Sequence, residues 1–496
     1  SVVASAAAAA TIVAPDGGPG QGTANLAAAR LLEQAAFGPT PTELARVKLI
    51  GVQAWLDEQF ALPETPIGNP GGMSMSSVQS QYLNRLATAP DQLRQRVAYA
   101  LSQVVVISAN KNIYPDEIVP YLQILNRNAF GNYRTLLGEI AVSSQMGKYL
   151  DLANSNKPTL GSAANENFAR ELMQLFTIGL NRLNLDGSNQ LDGNGNVIRC
   201  YEQSTVQQVA LALTGWTYIG SGNNNWENFS GPLVSREVNH DTTAKTFVGA
   251  TLPAGQTAAA DMTGTLDWLF NHPNVGPFLA TRLIRTLVKS NPSPAYIARV
   301  ATVFNDNGVG VRGDLRATFR AIFTDAEARN DLATGSDGRL KDAIYHAVSF
   351  VRALGGSISA SNGQAWYFGL MSQTPLAPPS VFGFCSPLFR IPRSSLYGPE
   401  FQIFGPTEAV LRGNLFWQIL SNPGSDFAAD IAPFVALAGN TPALIDAVDQ
   451  ALLYGRMPLA MRTSLASAIN AQGDNRGKAQ TALYLTSLSG LYAVQH

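Results

Sequence analysis

Two short stretches of the chain concentrate side chains that could carry acid–base chemistry. The first, NENFARELMQLFTIGL at 165–180, places carboxylates beside an arginine, and the second, HDTTAK at 240–245, combines a histidine with an aspartate and a lysine. Two carboxylates in a partly buried setting separate their pKa values, so that one acts as an acid and the other as a base. The candidate catalytic residues of such a hydrolytic site are Glu166, Arg170, Glu171, His240, Asp241 and Lys245.

The same stretches also suggest a metal site. Carboxylate oxygens suit hard cations and imidazole suits transition metals, which gives four candidate ligands: Asp151 from YLDLAN, Glu171, His240 and Asp241. Helix geometry limits both ideas, because Glu166 and Glu171 lie about 140° apart around a helix and cannot easily point at one centre. A second element must therefore supply the partner. The simpler interpretation of His240 is a loop histidine or a helix cap.

The stretch 165–180 has the pattern of an amphipathic helix. At roughly 100° per residue, its apolar side chains fall on one arc, which consists of Phe168, Ala169, Leu172, Met173, Leu175 and Phe176. The opposite arc consists of Glu166, Asn167, Arg170, Glu171, Gln174 and Thr177. One interpretation of this polar arc is a solvated face with ordinary, weak ion pairs. The other is a buried polar ridge that lines a site.

The composition describes a globular chain with a weakly charged surface. Only 14% of its 496 residues are charged, against about 25% in an average protein, and 34 basic side chains nearly cancel 35 acidic ones. No basic patch indicates a nucleic-acid partner, and no window reaches the roughly 18 apolar residues of a transmembrane span. A surface rich in Gly, Ala, Ser, Thr and Asn is expected outside the cytoplasm or against other subunits. We therefore expect an exported protein, located in the periplasm, at the cell surface or in the extracellular medium.

Two cysteines, Cys200 and Cys385, leave two redox states open. In an exported protein an even count favours one disulfide, and this bond would stabilise the fold by roughly 5 kcal/mol in the chain-entropy model. Two free, buried thiols are the alternative, because sequence alone does not bring the two Cα atoms within bonding range. The sequence indicates no zinc site and leaves the cofactor unknown.

The pattern of elements predicts a mostly α protein. A large multi-helix body is interrupted by a small, Asx/Gly-rich β-hairpin near 184–202 and by long irregular loops at 217–249 and 376–406. The predicted parts are an apolar N-terminal tail at 1–24, a main helical domain at 25–406, and C-terminal helices at 407–496 that pack on the main domain.

The tail begins with SVVASAAAAATIVAP at 1–15, which is apolar and uncharged. It lacks both an initiator Met and the basic start of a signal peptide, as is typical of a mature chain whose signal peptide has been removed. Free termini normally fray, so for such a tail to be ordered, a groove on its own body or on a neighbouring subunit must hold it. We therefore expect self-association, or binding to a co-exported protein, through residues 1–15.

An ordered succession of motifs runs along most of the chain. These motifs are AARLLEQAAFGPTPTEL (28–44), GKYLDLANSNK (147–157), NENFARELMQLFTIGL (165–180), LALTGWTY (211–218), HDTTAKTFVG (240–249), HPNVGPFLATRLIRTLV (272–288), PPSVFGFCSPLFRIP (378–392) and GPEFQI (398–403). Together they resemble the bacterial family catalogued as domain of unknown function 1800. The resemblance implies export, a helical body and no assigned activity. Cys200 and Cys385 stand where aromatic residues are expected in that family, which slightly favours their pairing.

Two functional interpretations follow. The chain has no Gly-rich phosphate loop, His-Glu-x-x-His, Gly-x-Ser-x-Gly or Cys-x-x-Cys motif. The first interpretation is therefore a non-catalytic exported protein that binds or assembles, with the polar ridge as a buried network that rigidifies the core. The second is an exported hydrolase or metal-dependent enzyme, in which carboxylates of 165–180 face the 240–245 loop. Arg282 and Arg285, on a strongly apolar stretch, are predicted to form structural ion pairs.

Overall fold

The computed structural model describes residues 24–330, 337–361, 363–422 and 426–496. This part of the chain is mostly α, as the sequence predicts, with only short antiparallel strand pairs between the helices. None of its helices is both long and apolar enough to cross a membrane. The predicted contacts of residues 1–15 lie outside the described residues.

Helices make up both parts of the body on either side of residues 331–336. The helices before this segment are α1 Asn25–Ala35, α2 Pro41–Ile50, α3 Val52–Ala61, α4 Met75–Thr88, α5 Gln92–Ser102, α6 Val119–Asn128, α7 Tyr133–Ala141, α8 Ser144–Tyr149, α9 Asn167–Glu171, α10 Gln203–Ala212, α11 Ala258–Asn271, α12 Val275–Leu287, α13 Pro294–Asn305 and α14 Leu315–Thr324. The helices after it are α15 Ala343–Ala353, α16 Gln364–Leu370, α17 Pro406–Ser421, α18 Ala432–Leu437, α19 Thr441–Val448, α20 Leu459–Asn470, α21 Asn475–Ser487 and α22 Gly490–Ala493.

Local signals in the sequence explain where several helices begin. Thr40 caps α2 by accepting a hydrogen bond from the backbone N–H of Glu43, and Pro41 occupies the first helical position. Asp342 caps α15 in the same way through the N–H of Tyr345. Such caps satisfy donors that the first turn of a helix leaves without an intrahelical partner.

Eight short strands form four antiparallel pairs in the described part. They are β1 Trp216–Thr217, β2 Val234–Ser235, β3 Lys245–Phe247, β4 Ala250–Leu252, β5 Arg339–Leu340, β6 Ser357–Ile358, β7 Phe427–Ala428 and β8 Val494–Gln495. The pairs β1–β2 and β3–β4 are local, whereas β5–β8 and β6–β7 join distant segments. In β5–β8, Arg339 is opposite Gln495 and Leu340 is opposite Val494.

Buried apolar side chains form two clusters. The first extends from Ala28 to Ala328 and gathers residues from α1 to α14. The second contains α15 and the helices that follow it, together with Leu83 and Leu86 of α4. This second core therefore starts well before residue 407, and the predicted division of the body at that point stays a prediction.

The segments predicted to be irregular contain little regular structure. Residues 184–202 turn back on themselves through isolated antiparallel bridges rather than through a pair of strands. The 217–249 segment contains β2 and β3, and the 376–406 segment contains the short 3-10 helix Pro399–Ile403. Both segments pack against the helices and supply walls to the sites described below.

Candidate functional site

The 165–180 stretch forms α9, which continues as one turn of π-helix at Leu172–Thr177. Its predicted apolar arc is buried, because Phe168, Ala169, Leu172, Met173, Leu175 and Phe176 each expose at most 3% of their surface. The Thr177 hydroxyl donates to the Leu172 carbonyl oxygen at 2.6 Å and helps to hold the wider turn. Single π-turns are frequent at functional sites, which makes the polar arc of this helix a candidate site.

The polar arc of α9 contacts other parts of the chain. Arg170 Nη2 lies 2.8 Å from Glu166 Oε2, and Gln203 Nε2 donates to the same oxygen at 2.7 Å. Asn167 Nδ2 donates to Asp151 Oδ2 at 3.0 Å. Glu166 and Arg170 expose 29% and 39% of their side chains. This part of the arc is therefore a partly solvated hydrogen-bonded surface rather than a closed ridge.

Glu171 is the buried carboxylate of this arc and exposes only 9% of its surface. Its Oε2 atom has no hydrogen-bond partner among the described residues. Burial raises the pKa of Glu171, and the charge of Arg170 opposes this shift. The nearby Tyr149 and Tyr201 have pKa values raised to about 12, mainly by burial. Glu171 therefore holds a proton more readily than an ordinary carboxylate, which is a property of many acid–base groups.

The predicted residues of the 240–245 stretch belong to a different cluster, which Asp261 of α11 completes. Lys245 Nζ donates to Asp261 Oδ2 at 2.6 Å, and His240 Nε2 lies 3.1 Å from the same oxygen. The side chains of these three residues have no exposed surface. Asp241 Oδ1 lies 3.5 Å from Lys245 Nζ. We call His240, Asp241, Lys245 and Asp261 the His240 cluster.

Backbone at residues 214 and 215 holds His240 in place. The Nδ1 atom of His240 lies 2.9 Å from the Thr214 carbonyl oxygen, and the Thr214 hydroxyl accepts a hydrogen bond from the Asp241 N–H at 2.9 Å. Gly215 has a φ of +87°, and a Cβ there would lie 2.9 Å from the Cβ of His240. Both ring nitrogens of His240 face acceptor oxygens, so neither is free for a substrate. This geometry agrees with the interpretation of His240 as a structural loop histidine.

The structure does not bring the predicted catalytic and metal-binding residues together. Asp151 forms a surface ion pair with Lys111 at 2.7 Å. Glu171 lies beside buried tyrosines, whereas His240 and Asp241 belong to the His240 cluster. Across the described ranges, no group of three or more His, Cys, Asp or Glu side chains could hold a metal ion. Among the described residues, no hydrogen bond or ion pair joins a carboxylate of 165–180 to the 240–245 loop, and the predicted cleft between them stays a prediction.

The predicted disulfide is absent, because Cys200 and Cys385 are both free thiols. Cys200 is buried, and its sulfur accepts a hydrogen bond from Asn274 Nδ2 at 3.0 Å. Cys385 instead lines a cleft with Arg339 and Glu400. Burial raises the pKa of Cys200 to about 11 and also raises the pKa of Cys385. The two sulfurs have different neighbours, so the alternative of two free thiols holds.

The cleft beside Cys385 has a volume of about 60 Å³ and lies where α12, β5 and the 376–406 segment meet. We call it the arginine cleft, because Arg282 and Arg285 of α12 and Arg339 of β5 line it. Other lining residues include Tyr99, Gln103, Asp342, Gln373, Phe384 and Glu400.

Each arginine of the cleft has a buried nitrogen without a hydrogen-bond partner among the described residues. These atoms are Arg282 Nη2, Arg285 Nε and Arg339 Nη1. The Arg282 guanidinium lies 5.3 Å from the ring centroid of Phe278, and that of Arg285 lies 3.9 Å from the ring centroid of Tyr397. The rings attract the cations but leave these N–H groups unsatisfied. Buried donors without a protein partner are rare in proteins, and here three of them belong to residues that line one cleft.

Two carboxylates offset part of the positive charge. Arg339 Nη2 donates to Glu400 Oε1 at 2.6 Å and lies 3.6 Å from Asp342 Oδ2, which also accepts from the Tyr99 hydroxyl at 3.1 Å. Burial alone would lower the pKa of Arg339, but Glu400 and Asp342 raise it above its ordinary value. Burial lowers the pKa of Arg282 to about 10, so this side chain is still a cation at neutral pH. The cleft therefore carries more positive than negative side chains.

The arginine cleft was not foreseen from the sequence, which predicts structural ion pairs for Arg282 and Arg285. In the part of the chain that the structure describes, neither forms an ion pair with an acidic side chain, and this prediction is wrong. The sequence does contain a signal that these arginines lack ion-pair partners on their own helix. The two lie on one helix face at i,i+3 spacing, and α12 contains no Asp or Glu in its sequence VGPFLATRLIRTL. Nothing in the sequence connects Arg339 with them.

Comparison with known proteins identifies a family but assigns no activity to it. No curated protein and no solved structure matches the chain. A family model described as protein of unknown function (DUF1800) matches residues 30–494, a range that contains α9, the His240 cluster and the arginine cleft. The chain therefore belongs to the DUF1800 family.

Proposed function

We propose that this protein binds a small anion, of the carboxylate or phosphate class, in the arginine cleft. The observation that carries the proposal is the set of three buried arginine nitrogens without partners, all on residues that line one cleft. Carboxylate and phosphate oxygens accept charge-assisted hydrogen bonds from arginine, and these bonds are roughly twice as strong as neutral ones. A bound anion would satisfy donors that the protein alone leaves unpaired.

The size and rigidity of the cleft support this assignment. A volume of about 60 Å³ exceeds the roughly 10–15 Å³ that one water needs on a comparable measure, so the space accommodates a small anion. The guanidinium of Arg339 is held by Glu400 through both Nε and Nη2. Because that donor is oriented before a ligand arrives, less conformational entropy is lost on binding.

The test compares the wild-type protein with Arg282→Met and Arg285→Met by isothermal titration calorimetry, with acetate and inorganic phosphate as ligands. Methionine keeps an apolar stem and removes the N–H donors. We expect each variant to bind at least tenfold more weakly, because a hydrogen bond to a charged group contributes about 1.5–3 kcal/mol. Arg127→Met is the matched control, since Arg127 is half-exposed, pairs with Glu139 and does not line the cleft.

Stability measurements separate binding from folding. A buried polar group without a partner destabilises the folded state, so Arg282→Met is expected to unfold at the same urea concentration as the wild type or higher. Arg285→Met also loses a hydrogen bond to the Pro387 carbonyl oxygen and the contact with Tyr397, so its unfolding is expected at a slightly lower urea concentration. Lost anion binding in a variant of unchanged stability supports the proposal. Absence of binding to the wild type at millimolar anion, or equal binding by the cleft variants and the control, contradicts it.

We propose assembly outside the cytoplasm as a second candidate function, with residues 1–15 of one copy occupying a groove on another. The observation in its favour is a groove of about 360 Å³ whose walls are mostly small and apolar. The lining includes Pro39, Pro41, Leu44, Ala353, Ala447 and Ala451. An Ala-rich, uncharged segment such as 1–15 matches these walls. The weakly charged composition supports a location outside the cytoplasm.

Light scattering coupled to size-exclusion chromatography tests this second candidate. Deletion of residues 1–15 and the groove variant Ala447→Arg should both reduce the molar mass from that of an oligomer to that of a monomer. Ala471→Arg adds the same charge at an exposed position outside the groove and should leave the oligomer intact. A monomeric wild-type protein at micromolar concentration contradicts assembly of this kind.

A further inference from the structure

We infer that the anion bound in the arginine cleft carries a slender, unbranched apolar chain, as a medium-chain fatty carboxylate does. The inference rests on the proposed anion binding and adds the class of ligand. Its basis is a second cavity, of about 30 Å³, that adjoins the arginine cleft. The two spaces share Tyr99, Gln103 and Phe384 as walls.

The second cavity is lined mainly by apolar side chains. They include Ile107, Ile118, Leu122, Ile344, Leu376 and Phe384. The hydroxyls of two lining tyrosines are already engaged, because Tyr121 donates to the Val105 carbonyl oxygen at 2.6 Å and Tyr99 donates to Asp342 at 3.1 Å. None of the three arginines of the cleft lines this cavity. Tyr82, Ser102 and Gln103 complete the lining, so an occupant meets a mainly apolar surface here and a cationic surface in the adjoining arginine cleft.

A third cavity, of about 20 Å³, adjoins the second and shares Tyr82, Tyr99 and Leu122 with it. Arg85 lines this third space and donates to the Pro66 carbonyl oxygen at 3.3 Å. The three cavities share walls in turn between the arginines and the helices α4 and α6. The third is the more polar, since Gln95 and Asn126 also line it, so the second cavity supplies the main apolar surface. A cavity of about 30 Å³ accommodates a file of methylene groups more readily than a bulky ring.

The separation of charge from apolar surface indicates an amphiphile. Arginine donors would bind the carboxylate, and the apolar walls would remove the chain from water. Burial of each methylene strengthens binding by about fourfold. The protein is therefore expected to discriminate carboxylates by chain length, which acetate or phosphate alone cannot reveal.

The experiment is a calorimetric series with acetate, butanoate, hexanoate and octanoate on the 496-residue chain, with inorganic phosphate as a probe of the head site alone. We expect the affinity to rise by roughly threefold to fourfold per methylene until the chain fills the cavity. Octanoate should also displace phosphate, because both would use the arginines. Arg282→Met should weaken acetate and octanoate by the same factor.

A cavity-filling variant isolates the apolar part of the site. Leu376→Trp fills the second cavity and should abolish the gain with chain length while acetate and phosphate still bind. Leu376→Met is the matched control of similar volume and should retain the chain-length series. Leu376 has a φ of +62°, and tryptophan and methionine are equally constrained by this left-handed backbone conformation. A comparison of the urea unfolding of the two variants therefore detects a folding defect that is specific to tryptophan.

The outcomes distinguish this inference from the proposed function. A flat chain-length series with retained acetate and phosphate binding overturns the inference and leaves anion binding intact. Octanoate binding that is unaffected by Arg282→Met, or that fails to displace phosphate, also overturns the inference, because the chain would then lie elsewhere. Failure of every anion to bind the wild type removes the proposed function and the inference together. The wild-type series decides the question even if Leu376→Trp does not fold.

Discussion

Lys245 and Asp261 form an ion pair in which neither side chain has any exposed surface, with Nζ 2.6 Å from Oδ2. His240 lies 3.1 Å from the same carboxylate oxygen. Removal of one member of such a pair leaves a buried charge without a counter-ion, whereas exposed ion pairs contribute little. The pair joins α11 to β3, so it ties the irregular 217–249 segment to the helical body.

Asp261→Asn should lower the free energy of unfolding by about 3–5 kcal/mol, because it leaves the Lys245 ammonium buried and uncompensated. Urea denaturation followed by circular dichroism measures this loss. Asp267→Asn on the same helix is the control, since Asp267 exposes 54% of its side chain and pairs with Arg134. The control should change the free energy of unfolding by less than about 1 kcal/mol. Equal losses in the two variants would refute the special role of the buried pair.

Glu171→Gln should raise the free energy of unfolding near pH 7, by about 1 kcal/mol or less. Burial raises the pKa of Glu171 above its ordinary value of 4.5, so the folded state binds this proton more tightly than the unfolded chain. Stability of the wild type therefore falls as the pH rises through the interval between the ordinary and the raised pKa. Glutamine carries no charge and avoids this loss. The gain should shrink in urea titrations at about pH 4, and a gain that is equal at both pH values is incompatible with this explanation.

His272→Gln should reduce the loss of stability in acid. Burial lowers the pKa of His272 from 6.5 to about 4, so the unfolded chain takes up this proton first, and stability declines as the pH falls through that interval. The full shift corresponds to about 3 kcal/mol, and solvent screening of the partly exposed ring reduces this to about 1–2 kcal/mol. Urea titrations between pH 7 and pH 4 measure the slope. Burial also lowers the pKa of His496 to about 4, so the stability of the variant still falls somewhat with decreasing pH. If the slope of stability against pH is the same in the variant and the wild type, His272 is not the source of the acid sensitivity.

Two free thiols per chain are expected when the protein is unfolded in urea without a reductant, because Cys200 and Cys385 are not bonded. Reaction with a thiol reagent in the folded protein should be slow, since burial raises the pKa of Cys200 to about 11 and raises that of Cys385 as well, and the thiolate is the reactive form. Cys200→Ser and Cys385→Ser should each leave one titratable thiol. A count of zero thiols in the unreduced wild type would show that Cys200 and Cys385 form a disulfide.

Local signals made the helices predictable, because caps and apolar periodicity involve residues that are close in sequence. In α2, for example, the capping residue Thr40 and its partner Glu43 are only three positions apart. The apolar arc of 165–180 is buried as expected. The π-turn at Leu172–Thr177 was not foreseen, because a residue inserted into a helical turn leaves no distinctive pattern of residue types.

Partners from distant segments could not be predicted. The sequence drew attention to His240 and Lys245, but their partner Asp261 lies on α11, where nothing in the local pattern separates it from the exposed Asp267. The same holds for the arginine cleft, since Arg339 is held by Glu400 from a segment far along the chain. Such pairings depend on tertiary packing, which single-sequence periodicity does not encode.

The pairing of Arg339 with Gln495 has a consequence for folding during synthesis. The Gln495 side chain donates to the Leu287 carbonyl oxygen at 2.6 Å, at the end of the helix that carries the other two arginines, while its backbone belongs to the strand opposite Arg339. A ribosome releases Arg282, Arg285 and Arg339 well before Gln495, and chains fold as they emerge. A translation product interrupted before residue 494 would thus lack both the strand opposite Arg339 and the hydrogen bond to Leu287, which together join β5 to the end of α12.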